Sequence, residues 1–257
     1  MIKNKLNTEI KNDERIDEVN ESITLIQKKN GLTFGTDAYL LAAYMYNNAS
    51  GIAVELGGGT GIISLLLRAR NRFNKIYVSE IQGEFCDVIS RNIDLNGMEN
   101  VFVLEGDVRE LSPNDIGGEA DVVFSNPPYM KTNSGKQNAN EYKYIARHEV
   151  FGNIDDFCKS AYRLLKYGGR FYVVYRPDRL SELILALNKN KLEPKKMTFV
   201  QADTESAPSM VLIEAKKGAS PSLTLTRPLI LYNDKNKSMS NDAKTIYENC
   251  SFEEFFK

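Results

Sequence analysis

The chain is short of cysteine, of net charge and of long apolar runs, and each shortage removes a class of protein. Its three cysteines, Cys86, Cys158 and Cys250, are odd in number and far apart. That excludes a disulfide framework and a clustered zinc site, so no metal is expected, and it fits a reducing cytoplasm. No apolar stretch approaches the ~20 residues that cross a bilayer. The opening Met1-Ile2-Lys3-Asn4-Lys5 lacks the apolar core of a secretory signal, so a cytoplasmic protein without a membrane partner is expected. Lys and Arg number 33 against 34 Asp and Glu, a net charge of −1. A uniformly basic nucleic-acid-binding chain is thereby excluded, and any polyanion must meet a local patch. The single histidine, His148, has no Ser or Cys beside it in a nucleophilic arrangement and reads as structural or substrate-positioning. Internal repeats are absent too. What is there, 257 residues with 42% hydrophobic, suffices for one large domain with a full core, and a monomer is expected.

From Gly51 onward, strands alternate with helices. Ile52-Ala53-Val54-Glu55-Leu56 reads as a strand and Gly57-Gly58-Gly59-Thr60-Gly61 as the turn into a helix carrying Ile62, Ile63, Leu65, Leu66 and Leu67. Ile76-Tyr77-Val78-Ser79 is a second strand, and Phe85, Val88, Ile89 and Ile93 then share one helical face, closed by Asn96-Gly97. Residues 101–104 and 121–124 are further strands. Ile154, Phe157, Cys158, Ala161, Leu164 and Leu165 make a helical stripe that Gly168-Gly169 should stop, before a strand at 171–175 and a helix marked by Leu180, Leu183, Ile184 and Leu187. No helical pattern separates the last two strands, at 197–202 and 210–215, which predicts an antiparallel hairpin at the sheet edge. The alternation predicts an α/β fold with a mostly parallel seven-stranded sheet and helices on both faces. Residues 1–30 read as a polar leader of weak order, and 218–257 as an extension whose polar tail ends in Phe252, Phe255 and Phe256.

In such sheets ligands bind beyond the carboxyl ends of the strands, and the chemistry-bearing residues fall there. Glu55, Gly57, Gly59 and Gly61 span a strand end and a helix start, where glycine lets the backbone approach a ligand. The spacing is not Gly-x-Gly-x-x-Gly and no Lys follows, so a phosphate-binding P-loop is excluded. Glu80 ends the second strand, where a carboxylate can accept both hydroxyls of a ribose. Asp107 follows the third, where one could accept from an adenine amino group. After the fourth comes Ser125-Asn126-Pro127-Pro128-Tyr129. Its two prolines stop the strand and fix the backbone, and the Asn126 oxygen and Pro127 carbonyl can both accept from one NH₂ group. Those bonds draw the nitrogen lone pair out of conjugation and make a poor amine a usable nucleophile. Tyr129 can stack on the ring that carries it. Asp37 after Thr36 has the form of a helix cap as well as of a cofactor contact.

These motifs resemble the class I S-adenosylmethionine-dependent methyltransferases that modify exocyclic or amide nitrogens. The resemblance narrows with Phe34-Gly35-Thr36-Asp37-Ala38-Tyr39-Leu40-Leu41, Ala146-Arg147-His148-Glu149 and Tyr175-Arg176-Pro177-Asp178-Arg179-Leu180. That set is similar to the bacterial valine-tRNA adenine-N6 methyltransferases, which methylate the adenine beside the anticodon. It implies a Rossmann-like domain over residues 31–217 and S-adenosylmethionine bound by Glu55, Gly57, Gly59, Gly61, Glu80, Asp107, Asp37 and Asn126. It also implies catalysis by Asn126, Pro127, Pro128 and Tyr129. One departure is Gly58, where relatives often carry Thr and where glycine should loosen the loop. Two basic segments suit a tRNA backbone. Residues 126–147 hold Lys131, Lys136, Lys143 and Arg147, a net of +3, and residues 176–196, with Arg176 and Arg179, are also at +3. A release-factor glutamine methyltransferase shares Asn-Pro-Pro-Tyr but has a longer helical domain before the glycine loop. A non-catalytic nucleoside-binding module is the remaining alternative, disfavoured by the intact Asn126 to Tyr129.

Overall fold

Residues 8–30, 34–128, 152–233 and 238–257 are described by the computed structural model of this chain. The elements run β1 (Glu14–Asn20), β2 (Ile23–Lys28), α1 (Thr36–Tyr44), β3 (Asn48–Leu56), α2 (Ile62–Ala69), β4 (Phe73–Glu80), α3 (Gly83–Leu95), β5 (Val101–Glu105) and β6 (Ala120–Ser125). After these come α4 (Ile154–Leu164), β7 (Leu165–Tyr175), α5 (Leu180–Lys189), β8 (Leu192–Gln201), β9 (Met210–Lys217), β10 (Thr224–Leu225), β11 (Leu229–Ile230) and α6 (Asn241–Asn249). The main sheet has the order β5-β4-β3-β6-β7-β9-β8. Strands β3 to β7 are mutually parallel, and β9 runs antiparallel between β7 and β8. The predicted α/β sheet with its closing hairpin is therefore present, extended by β10 and β11, which pair parallel to β8.

Side chains that alternate along the strands build two cores. Ala53, Val78, Val122, Phe124 and Tyr172 face α1, α2 and α3. Their neighbours Val54, Leu56, Val123, Phe171 and Val173 face α4 and α5. Burial on both faces is why the central strands read as near-continuous apolar runs. The first core also includes Leu25 of β2 and the last turn of the chain, with Phe252 at 1% exposure.

Both ends of the chain depart from the expectation. The polar leader contains an antiparallel hairpin, β1 with β2, docked on α3 by asparagines one helical turn apart. Asn92 accepts from the Ile26 amide at 2.6 Å and donates to the Ile26 carbonyl at 3.1 Å. Asn96 does the same for Thr24, at 2.9 and 2.7 Å. Each side-chain amide substitutes for a peptide unit of a neighbouring strand, adding polar ties to the buried Ile23, Leu25 and Ile26. The tail forms α6, capped by Ser240, whose hydroxyl accepts from the Ala243 amide. Its aromatic end covers α1, with Tyr44 edge-on to Phe252 at 5.2 Å and Tyr39 stacked on Tyr247 at 4.6 Å. The helix expected to run to Gly168-Gly169 stops at Leu164, and Leu165 pairs with Ala120 in the sheet. The two glycines lie instead where the β6–β7 register shifts.

Among the described residues no helix is long and apolar enough to cross a membrane. Cys86, Cys158 and Cys250 are all buried and free.

Candidate active site

Five parallel strands deliver their carboxyl ends to one edge of the sheet. After β3 the chain turns through Gly57, Gly59 and Gly61, with φ of +76°, +57° and +79°. These left-handed conformations favour glycine. The Gly57 and Gly58 amides both donate to the Ser79 carbonyl at 2.9 Å, tying the loop to β4. Gly58 does not loosen the loop as expected. A Cβ there would lie 2.2 Å from Val78 Cγ1 and 3.2 Å from Ile89 Cδ1, so only glycine fits at this depth. At Gly59, by contrast, a Cβ would meet nothing within 4 Å, and the backbone lies open to a ligand.

Glu80 closes the loop from the neighbouring strand. Its Oε2 accepts from the Gly59 amide at 2.9 Å, while Oε1 accepts from the Ile81 and Gln82 amides at 2.9 and 3.0 Å. Burial raises its pKa and those three amides lower it. Glu55 lies beneath the loop at 1% exposure and accepts from the Ser64 hydroxyl of α2. Burial, with a smaller repulsion from Glu80, pushes its carboxyl up to about 8. Asp107, past β5, is gripped at both oxygens by Arg109, whose guanidinium keeps it below the ordinary carboxylate range. An adenine amine reaching Asp107 would share it with Arg109.

The turn after β6 stands beside this loop because the buried Ser125 hydroxyl donates to the Leu56 carbonyl at 2.7 Å. Asn126 follows, half-buried, and Pro127 is buried. The Asn126 amide nitrogen donates to Asp37 Oδ2 at 2.8 Å. Asp37 lies in the first turn of α1, with Gly35 in the cap position, so it is not the cap itself. A cavity of about 500 Å³ opens here. Thr36, Asp37, Asn126 and Arg176 line it, together with Ser209 of the β8–β9 turn and Met210 at the start of β9. That volume suits a flat ring of nucleobase size.

The predicted site residues divide into four groups. Glu55, Gly57, Gly59, Gly61, Glu80 and Asp107 lie along the loop side, and Asp37 and Asn126 line the cavity, with Pro127 and Pro128 next along the chain. Arg176 lines the cavity and forms a two-point ion pair with Asp178, while Arg179 pairs with Glu182 and lies over the Tyr175 ring at 5.4 Å. Tyr129, Lys131, Lys136, Lys143, Arg147 and His148 lie outside the described residues. Four residues went unpredicted as contributors: Ser125 as a tie between strand ends, Ser209 and Met210 in the cavity lining, and Asn92. Besides holding the hairpin, Asn92 donates to the Thr60 carbonyl of the glycine loop at 3.0 Å. Only Ser125, the first residue of the motif Ser125 to Tyr129, carried a sequence signal.

The residues fit S-adenosylmethionine: an open glycine backbone at Gly59, a carboxylate at the end of β4 and a second acid past β5. Together with the strand order, they define a Rossmann-like methyltransferase. Residues 29–193 match the methyltransferase small domain, and the chain belongs to that family. Relatives include the tRNA1(Val) (adenine(37)-N6)-methyltransferase of Phocaeicola vulgatus, 27% identical over 76% of this chain and 82% of the relative. The protein of the same name from Parabacteroides distasonis is 25% identical over 86% and 94%. Among solved structures, a predicted O-methyltransferase from Agrobacterium tumefaciens has a TM-score of 0.68 at 20% identity, covering 84% of this chain and 97% of that one. M. jannaschii TYW2 in complex with AdoMet has a TM-score of 0.55 at 15% identity, covering 80% and 86%. At these identities the structural likeness establishes the fold.

Proposed function

We propose that the protein methylates the exocyclic N6 of an adenine in tRNA, the adenine beside the anticodon of a valine tRNA, with S-adenosylmethionine as donor. The observation that carries this reading is Asn126, which lines the cavity beside an open glycine loop and is followed directly by Pro127. The curated relatives' names agree with it in reaction and substrate.

Bound cofactor would supply an electrophilic methyl group on a sulfonium. The chain's part is to bind and orient. Gly57 to Gly61 and Glu80 would hold the donor on the sheet edge, and the Asn126 oxygen and Pro127 carbonyl would accept the two hydrogens of the adenine amine. Such positioning can supply about 7–11 kcal/mol in favourable cases. Arg176 and Arg179, beside the cavity, and the basic segment that begins at Asn126 would meet phosphates. An unpaired anticodon-loop base can be splayed out into such a cavity.

The test is transfer of radiolabel from the donor to unmodified tRNA. Asn126→Ala should lower kcat by about 10²–10³, the scale of losing one oriented polar contact to the reacting group. Equal labelling by the two proteins overturns the mechanism. Mapping the missing methyl group in tRNA from cells lacking the protein tests the valine-tRNA assignment.

A further inference from the structure

We infer that Asp37 is a positioning residue for Asn126, fixing which end of the Asn126 amide faces the target amine. The inference deepens the adenine-methylation reading and rests on it for its substrate. An amide side chain has two ends of equal size, one accepting and one donating. Catalysis needs the oxygen toward the amine, because an amide NH₂ turned that way sets donor against donor. The polypeptide must therefore discriminate between two orientations that differ by a half-turn.

Asp37 supplies the discrimination. An ionised carboxylate only accepts, so the Asn126 NH₂ is the end that can face it, at 2.8 Å. The oxygen is then left on the side away from Asp37, and both side chains line the same cavity. The negative charge also polarises the amide and strengthens its oxygen as an acceptor.

Asp37 is itself held in place. Its Oδ1 accepts from the Ala38 amide at 2.9 Å, and the first turn of a helix favours a carboxylate. Gly35 leaves room for it, since a Cβ there would stand 2.8 Å from Asp37 Oδ1. Ala38 to Tyr44 are all buried, so α1 is a firm base. The partners are 89 residues apart in sequence, and their bond joins α1 to the end of β6.

The experiment measures kcat, KM for tRNA and calorimetric affinity for S-adenosylhomocysteine in the full-length protein. Asp37→Ala should lower kcat about 100-fold, the scale of a small misplacement at the reacting centre, with KM for tRNA unchanged and any fall in cofactor affinity far smaller than the fall in kcat. Asp37→Asn should restore part of the loss, because its amide oxygen can still accept from Asn126. Gly35→Ala should lower kcat in the same direction. In an Asn126→Ala background, Asp37→Ala should cost nothing further. The inference is overturned by wild-type kcat in Asp37→Ala, by a loss residing in cofactor affinity, or by losses that multiply in the double variant. A wild type inactive on tRNA would instead count against the proposed function. The inference is then decided by NMR of the ¹⁵N-labelled protein, which reports proton exchange at the Asn126 NH₂. Exchange should be slow in wild type and faster in Asp37→Ala, and equal rates overturn the inference.

Discussion

Gly58 shows how one missing methyl group shapes the site. Its neighbours Gly57 and Gly59 are glycines because of their backbone angles, whereas Gly58 is glycine because Val78 occupies the space a side chain would need. Gly58→Ala should therefore destabilise the protein by about 1–3 kcal/mol, the cost of overpacking, and weaken cofactor binding through the displaced loop. Thermal unfolding and calorimetry check this. Combining it with Val78→Ala should recover part of the loss, and full additivity of the two costs would show that the clash is not the cause.

At the scale of elements, the two terminal segments are parts of the site's support. The hairpin reaches the glycine loop through Asn92, and the tail reaches Asp37 through α1. Phe252, fully buried against Tyr44, Phe255 and Phe256, holds the tail on that helix. Phe252→Ala should cost about 3–5 kcal/mol, read as a fall in urea midpoint; a change within error would mean that the tail packs independently of α1. Neither docking was legible in the sequence, and the reasons are physical. In β1, Arg15, Asp17 and Glu18 hide the strand pattern, and the hairpin's docking bonds come from Asn92 and Asn96 far along the chain. The tail's charged residues masked an aromatic cluster whose partner, Tyr44, is likewise remote. The seven principal strands were legible because each is locally apolar and followed by its own turn. So were the glycine loop, Glu80, Asp107 and Asn126, which all follow strands at one edge. The Asp37–Asn126 bond was not, since only the completed sheet brings the two together.

For the whole molecule, pH acts through buried acids of opposite character. Glu55 keeps its proton in the folded state up to about 8, against an ordinary value of 4.5. Its contribution to stability is complete below pH 4.5 and is lost as pH rises through about 8, a limit of roughly 4 to 5 kcal/mol. Glu80 is shifted in the same direction and adds to that slope. Glu14 is the reverse case, held down to about 2 by Arg91, so its contribution is lost as pH falls from 4.5 toward 2. The cofactor-free protein should therefore lose urea resistance between about pH 5 and pH 9. Glu55→Gln, which keeps an acceptor for Ser64, should flatten that decline; an unchanged slope would place its origin elsewhere.

Helix α1 is buried along its length, from Ala38 to Tyr44, with no polar face to show to water. Part of its cover is Tyr247, which stacks on Tyr39 and lies 208 residues further on. At translation rates of about 5–20 residues per second, the ribosome needs roughly 10 to 40 s to deliver that cover. For that interval the nascent chain displays a helix that lacks part of its apolar cover. The helix that carries Asp37 therefore gains this part of its cover only after the catalytic strands have all been made.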